Sequence, residues 1–365
     1  MIRVLQVVTY MGRGGLETML MNYYRHMNRD KVQFDFLVHR DFEADYDQEI
    51  LSMGGKLFHV PRLIPWSRGY REKLKSFFHA HPEYKIVHVH QDCLSSVALE
   101  CAKECGVLVR IAHSHNSNQD KNIKYIMKQY YRKKIPQFAT ELFACGKDAG
   151  DWMFTGHRYK ILYNAINTSV YTYSFEKAVT IREKLHVEQN LVIGHVGRFD
   201  AQKNHTFLLD IFSECVNIVP NARLLLVGDG EGRTQIQEKA KSLGLEEKVI
   251  FTGVRNDVAD LLQAMDVFVF PSLYEGVPVT MIEAQASGLP CVISDGVPKD
   301  CVITSGLVTS MKLSDRPCDW AKHIAAQLNR KRENHLEEIQ AAGYDIVTAA
   351  KELENFYLKK YGEES

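Results

Sequence analysis

The chain has 365 residues, with 45 Lys+Arg against 45 Asp+Glu, so its formal net charge is zero, and 45% of it is apolar. That length suits two domains, and the composition is that of a folded globular chain, which excludes a disordered polymer, a collagen-like repeat and a disulfide-stapled miniprotein. A neutral balance also argues against a general nucleic-acid binder, whose domains are usually basic, so no nucleic-acid partner is expected.

The first fifteen residues, MIRVLQVVTYMGRGG, hold one short apolar run and then turn polar and glycine-rich. They read as a first strand (Val4–Val8), not as a signal peptide. The strand leads through Gly12-Arg13-Gly14-Gly15-Leu16-Glu17-Thr18 into an amphipathic helix over Leu16–His26. Glycines there let a ligand approach the backbone, and the helix start offers free N–H groups to an anion. A dinucleotide fingerprint would need glycine at position 17, where Glu17 stands. Phe34–Val38 is the next strand. Asp45-Tyr46-Asp47 has the D-x-D form of a metal motif but follows no strand end, and reads as surface. Leu63, Ile64, Pro65 and Trp66 read as exposed in a turn-rich run over 62–71.

Ile86–Val89 and Leu108–Ala112 are further strands. His88 and His90 alternate along the first, and read as structural because no Cys or carboxylate lies at metal spacing. The second runs into His113-Ser114-His115-Asn116, where alternation points both histidines to one side. Residues 121–135, KNIKYIMKQYYRKKI, contain no acidic residue. Lys121, Lys124, Lys128 and Arg132 recur on one helical face, and Ile123, Ile126, Met127, Tyr130 and Tyr131 on another. This is either a core-packed helix with a solvated face or one lying on anionic lipid. Leu142–Ala144 and Lys160–Tyr163 complete a first set of strands alternating with helices.

The alternation weakens over Thr168–Asn190, where only Phe175–Leu185 reads as helical. It restarts with strands at Leu191–Val196, Arg223–Val227, Val249–Thr252, Val267–Phe270 and Cys291–Ser294. Repeated β–α units predict an α/β protein of two doubly wound, Rossmann-like domains. We place them at residues 1–168 and 169–343, with a terminal helix over 344–365 crossing back to the first. No apolar stretch reaches the ~18 residues of a membrane span. None of the eight cysteines forms a C-x-x-C pair. Buried free thiols in a reducing compartment, and a cytoplasmic location, are expected.

Ligands of open parallel sheets sit beyond the carboxyl ends of the strands. After Leu191–Val196 come Gly197, Arg198 and Lys203, two cations on a loop that opens a helix and can hold a diphosphate. After Val267–Phe270 comes Pro271-Ser272-Leu273-Tyr274-Glu275-Gly276-Val277-Pro278-Val279-Thr280-Met281-Ile282-Glu283, an E-x7-E pair. On one continuous helix the carboxylates would lie about 12 Å apart along the axis and off one face. Gly276 and Pro278 instead leave Glu275 in the loop and start the helix near Val279, so that Glu283 falls one turn in.

Gly14-Gly15, Gly197-Arg198 with Lys203, Gly228-Asp229-Gly230, Pro271-Ser272 with Glu275-Gly276, and Glu283 together resemble the retaining nucleotide-sugar glycosyltransferases of family 4, which have the GT-B fold of two Rossmann-like domains facing across a cleft. The bacterial members that build exopolysaccharide or capsule are the most similar. The resemblance implies a metal-independent transfer without cofactor, from a UDP-sugar (or a GDP-sugar) to a glycan or polyprenyl-diphosphate-linked acceptor. It implies that Arg198 and Lys203 bind the diphosphate, that Glu283 holds the ribose hydroxyls and Glu275 the sugar hydroxyls, and that the amides of Val277, Pro278, Val279 and Thr280 face the phosphates or sugar. It puts Arg255 near the base, Gly14 and Gly15 over the diphosphate, and His113, His115 and Asn116 on the acceptor side, with His115 also catalytic. Asn164-Ala165 and Asp295–Asp300 depart from the family pattern. The rival readings are a nucleotide-sugar epimerase of the same fold, with Glu17 or Asp92 as its carboxylate, a nicotinamide-dependent oxidoreductase, and a non-catalytic sugar-nucleotide-binding scaffold.

Overall fold

A computed structural model describes residues 1–116, 125–328 and 330–363. The chain divides into two compact units. One is formed by Met1–Ala165 with the C-terminal segment from Asp345 onward, the other by Ile166–Tyr344.

The first unit is built on a seven-stranded parallel sheet of β1 (Ile2–Val7), β2 (Val32–Val38), β3 (Leu57–His59), β4 (Ile86–Val89), β5 (Val109–Ser114), β6 (Glu141–Ala144) and β7 (Lys160–Ile161), in the order β3-β2-β1-β4-β5-β6-β7. All seven residues of β2 are buried, as expected of a strand covered on both faces. Its two polar side chains are satisfied inside: Asp35 pairs with Arg3 and accepts from Tyr84 Oη at 2.7 Å, and Gln33 donates to Tyr24 Oη at 2.5 Å. The helix Gly15–His26 carries Glu17 in its first turn and Arg25 and His26 in its last, both favourable to its dipole. It buries Met19, Leu20, Met21, Tyr23 and Tyr24.

The second unit has a six-stranded parallel sheet of β8 (Leu191–Val196), β9 (Ala222–Val227), β10 (Val249–Gly253), β11 (Val267–Phe270), β12 (Cys291–Ser294) and β13 (Val308–Met311), in the order β10-β9-β8-β11-β12-β13. Its core gathers Leu208, Leu209, Phe212, Leu224, Leu226 and Trp320.

Both sheets reverse winding direction at their first strand, between β1 and β4 and between β8 and β11. Such switch points are where ligands of open α/β sheets bind. They place the loops after β1 and β4 beside each other in one unit, and those after β8 and β11 in the other.

Some local readings change. Asp47 is not surface: it is buried, accepts from Ala44 N at 2.9 Å and opens the helix Asp47–Ser52. Pro65 is buried, although Ile64 and Trp66 are exposed. All eight cysteines are free thiols, with Cys105 and Cys318 half-buried and the rest buried. Among the described residues no helix is long and apolar enough to cross a membrane.

Candidate functional site

In the second unit the loop after β8 is held from below by glycine. Gly228 has φ +135°, and a Cβ there would lie 2.1 Å from the carbonyl oxygen of Gly197. This close approach lets Phe199 N donate to Asp229 O at 3.0 Å and Gly232 N donate to Phe199 O at 2.9 Å. The same loop is tied sideways to the loop after β11. Leu273 N donates to Gln202 O at 2.8 Å, and Asn204, in a left-handed conformation, donates through Nδ2 to Pro271 O at 3.2 Å.

These ties bring Lys203 and Glu275 together, 72 residues apart in the chain, with Nζ 2.6 Å from Oε1. Gln202 Nε2 donates to Glu275 Oε2 at 3.2 Å, and Lys203 Nζ lies 4.7 Å from the centre of the Phe270 ring. The two side chains are only 17% and 6% exposed, so the pair is held mostly out of water. Arg198 stands exposed on the same loop. The segment after β12 joins from the far side: Glu275 N donates to Gly296 O at 3.1 Å, and a Cβ at Gly296 would lie 2.4 Å from Leu273 O. Gln202 and Gly296 carry no sequence signal of this role, since only the packed loops reveal it.

The helix after the loop runs Val279–Ala286, with Pro278 preceding it. Pro278 has no N–H, so it cannot be one of the expected amide donors. The N–H groups of Val279 and Thr280 belong to the first turn, where helix donors lack intrahelical partners, and Met281 N donates to Pro278 O at 3.1 Å. Glu283 lies one turn in and is buried. Tyr171 Oη donates to its Oε1 at 2.7 Å, and burial lifts the Glu283 carboxyl to about 7. Tyr171 is a site residue the sequence did not single out; it is 112 positions from Glu283 with no periodicity linking them. Arg255 is not drawn into this group. It is paired with Asp257 at 2.6 Å on the loop after β10, two strands away from β8.

In the first unit, Gly14 caps the helix Gly15–His26. A Cβ at Gly14 would meet the Glu17 carboxylate at 2.3 Å, whereas one at Gly15 would meet nothing within 4 Å. At the ends of β4 and β5 four imidazoles gather. His113 and His115 do turn to one side, with ring centres 4.0 Å apart. His88 and His90, expected to be structural and not zinc ligands, stack against each other at 4.3 Å and each lies 5.2 Å from His113. The partners that β4 lacks in its own sequence come from β5. His90 Nδ1 and His115 Nε2 are 2.9 Å apart. Desolvation holds His115 down to about 3 and the other three well below the ordinary histidine value, so all four rings are neutral. Asn116 is exposed, its carbonyl accepting from Ser114 Oγ at 3.4 Å.

Of the basic stripe, Lys121, Ile123 and Lys124 lie outside the described residues. The helix Tyr125–Phe138 follows, with Ile126 81% and Tyr130 56% exposed and Ile135 buried. Arg132 is not a solvated cation there: it donates to Trp152 O and lies 5.2 Å over the Trp152 ring.

Comparison with known proteins agrees with this two-unit reading. The family profile for glycosyltransferase family 4 matches residues 13–170, and that for glycosyl transferases group 1 matches residues 190–330. The chain is 38% identical to EpsF of Bacillus subtilis (strain 168), itself assigned as a glycosyltransferase, over 97% of this chain and 96% of that one. It is 25% identical to CapH of Staphylococcus aureus, a capsular polysaccharide biosynthesis glycosyltransferase, over 99% of both. The crystal structure of Anabaena HepE in complex with UDP-glucose superposes with a TM-score of 0.81 at 20% identity, covering 98% of this chain and all of that one. The fold is therefore GT-B, and the chain belongs to the family 4 glycosyltransferases.

Proposed function

We propose that the chain is a retaining glycosyltransferase that moves a sugar from a UDP-sugar to a glycan or lipid-linked glycan acceptor, with the donor held by the second unit and the acceptor received by the first. The observation that carries this is the Lys203–Glu275 pair, locked at the switch point of the second sheet with Arg198 on the same loop. Two cations and the first-turn amides of Val279 and Thr280 supply what a diphosphate leaving group needs: fixed positive charge where negative charge develops. Lys203 exchanges Glu275 for the diphosphate when the donor enters, and Glu275 is then free to accept from the sugar hydroxyls. Glu283, steadied by Tyr171, accepts from the ribose hydroxyls. Arg255 and its partner Asp257 lie toward the base. The acceptor hydroxyl attacks on the face from which the nucleotide departs, and the leaving phosphate takes its proton, so neither a protein base nor a metal at the diphosphate is required. His115, with Asn116, orients the acceptor, and Gly14 and Gly15 leave bare backbone at the start of the first helix for a ligand to approach.

The UDP-glucose complex of HepE supports uridine as the base. Exposed Ile126 and Tyr130, on a helix that also carries Lys128, Lys133 and Lys134, support a seat on anionic lipid, where a lipid-linked acceptor resides. Replacing both apolar residues by serine is expected to weaken binding to vesicles containing anionic lipid and to leave binding of soluble UDP unchanged.

The deciding experiment is thermal stabilisation by a panel of nucleotides and nucleotide-sugars with and without EDTA. A shift with UDP and UDP-sugars whose size is insensitive to EDTA is expected. A shift with GDP-sugars alone would move the donor to guanosine. A shift with NAD(P) alone, or with nothing in the panel, would overturn the reading.

A further inference from the structure

The histidines at the ends of β4 and β5 form a group that the transfer reaction does not use in full. β4 and β5 run side by side in parallel, with His88 opposite Ile111 and Val89 opposite Ala112. That register sets His90 next to His113. Alternation turns His88, His90 and His113 to one face. All three are at most 4% exposed, and one nitrogen from each lies within 4.8 Å of the others.

Three buried imidazoles are costly unless their nitrogens find partners. Here the nitrogens divide into two sets. Those at the back are anchored: His88 Nδ1 is 2.7 Å from Tyr357 Oη, and His90 Nε2 is 2.9 Å from Gln6 Oε1. Those remaining are not: His88 Nε2 and both nitrogens of His113 have no hydrogen-bond partner among the described residues, and His90 Nδ1 has His115. In His88 and His90 one ring nitrogen is fixed and the other remains, which is how metal-ligating histidines are held, while His113 has both nitrogens without a protein partner. The set contains nitrogen and no carboxylate, which disfavours Ca²⁺ or Mg²⁺ and suits a borderline ion such as Zn²⁺.

We infer that His88, His90 and His113 form a binding site for one divalent transition-metal ion, of the chemical class of Zn²⁺, within the first unit. Zn–N bonds of about 2.0–2.1 Å join nitrogens about 3.4 Å apart, so loading draws the rings together by roughly an ångström. His90 gives up His115 to take the ion, leaving His115 free to turn outward. Because Tyr357 belongs to the C-terminal segment and Gln6 to β1, the ion fastens three parts of the first unit at once. The site is independent of the donor chemistry proposed above, and the UDP-induced thermal shift is expected with or without the metal.

The test uses the full chain stripped with chelator, given one equivalent of Zn²⁺ alone, desalted and assayed for metal. The same protein is then loaded with Co²⁺ and its visible spectrum recorded. About one retained zinc per chain, a raised melting temperature, and a Co²⁺ ligand-field band without thiolate charge transfer are expected. His113→Gln should weaken retention at least about tenfold. Cys105→Ser, which removes the thiol 3.7 Å from His79 Nε2, and His157→Ala, at an exposed histidine, should keep it. A wild-type chain that holds no zinc and gives no cobalt band overturns the inference, however the variants fold, and leaves buried water as the filler of the cluster. Retention unchanged in His113→Gln, or lost in Cys105→Ser, overturns it equally.

Discussion

A lysine ammonium 2.6 Å from a carboxylate, both largely shielded from water, is a poised contact rather than a passive one. Each charge has been desolvated for the other, and removing one leaves its partner seeking a counter-ion. Glu275→Ala frees Lys203 for the diphosphate while removing the acceptor for the sugar hydroxyls. Turnover should fall by about a hundredfold or more, while UDP affinity stays the same or tightens; a fall in UDP affinity with turnover intact would remove Glu275 from the sugar side. Lys203→Ala should do the opposite to binding, weakening UDP at least about tenfold, as read by calorimetry. Glu283 adds a pH signature. Its carboxyl titrates near 7 in the folded chain against an ordinary 4.5. Between those values the folded chain keeps a proton that the unfolded chain has released. The stability tied to this group is therefore intact below pH 4.5 and lost as pH rises to 7, by about 3 kcal/mol at most. Glu283→Gln should flatten that part of the melting-temperature profile. If Glu283 holds ribose hydroxyls as an ionised acceptor, UDP affinity should rise from pH 6 to 8 in the wild type and not in the variant. The loops that carry Lys203 and Glu275 were legible because each follows a predicted strand. The Tyr171–Glu283 bond was not, since nothing local to Tyr171 announces a partner 112 residues away.

Elements show the same division between local and non-local signal. Eleven of the strands lie where short apolar runs predict them. β3 and β13 were missed, and both are edge strands: β13, Val-Thr-Ser-Met, buries one residue of four, so no hydrophobic pattern marks it. At 45–47 Asp45 is exposed as read, and only Asp47 departs from a surface reading, because it is the first residue of a helix whose placement the local sequence does not show. The glycines of the two loops can be separated by experiment. Gly228→Ala puts a methyl 2.1 Å from the Gly197 carbonyl at a φ of +135°, so the loop bearing Arg198 and Lys203 must move. A loss of roughly 1–3 kcal/mol of stability together with weaker UDP binding is expected. Gly15→Ala meets nothing within 4 Å and sits in a helical first turn. It should leave stability unchanged or raise it by about 0.5–1 kcal/mol. A higher KM for the donor in that otherwise well-folded variant would show that the bare backbone serves the ligand and not the fold. An unchanged KM would return Gly15 to a plain strand-to-helix turn.

At the scale of the whole chain, the second unit is an insertion in the first: the path leaves the first unit after Ala165 and re-enters it at Asp345. The returning helix Ile346–Glu363 is not an ornament on a finished domain. It buries Ile346, Ala349, Ala350, Leu353 and Tyr357 among the residues of the first core, including Phe34, whose ring meets that of Tyr357 edge-on at 6.0 Å. Its polar contacts close gaps as well: Glu354 accepts from Asn28 N at 3.0 Å, Lys360 pairs with Glu141 at 2.6 Å, and Tyr357 satisfies His88. The apolar spacing of this helix was readable in the sequence; where it docks was not, because its partners lie far upstream, from Asn28 to Lys160. Fully burying an Ile or Leu is worth about 1.5–3 kcal/mol, so the helix supplies stabilisation comparable to a whole domain's margin of about 5–15 kcal/mol. Truncation after Tyr344 should therefore unfold the first unit while the second, whose core lies within Ile166–Tyr344, keeps its structure. Hydrogen exchange followed by mass spectrometry reads both at once. Protection should vanish over β1, β2, β4 and β5 and persist over β8, β9 and β11, with UDP still adding protection around Lys203 and Glu275. Loss of protection in both units would mean that the second sheet depends on the first, and retention in both would mean that the returning helix is dispensable to the core it covers. Tyr357→Phe isolates the finer contribution. It keeps the apolar packing and strands His88 Nδ1 without its hydroxyl partner, and should cost about 1–3 kcal/mol, confined to the first unit.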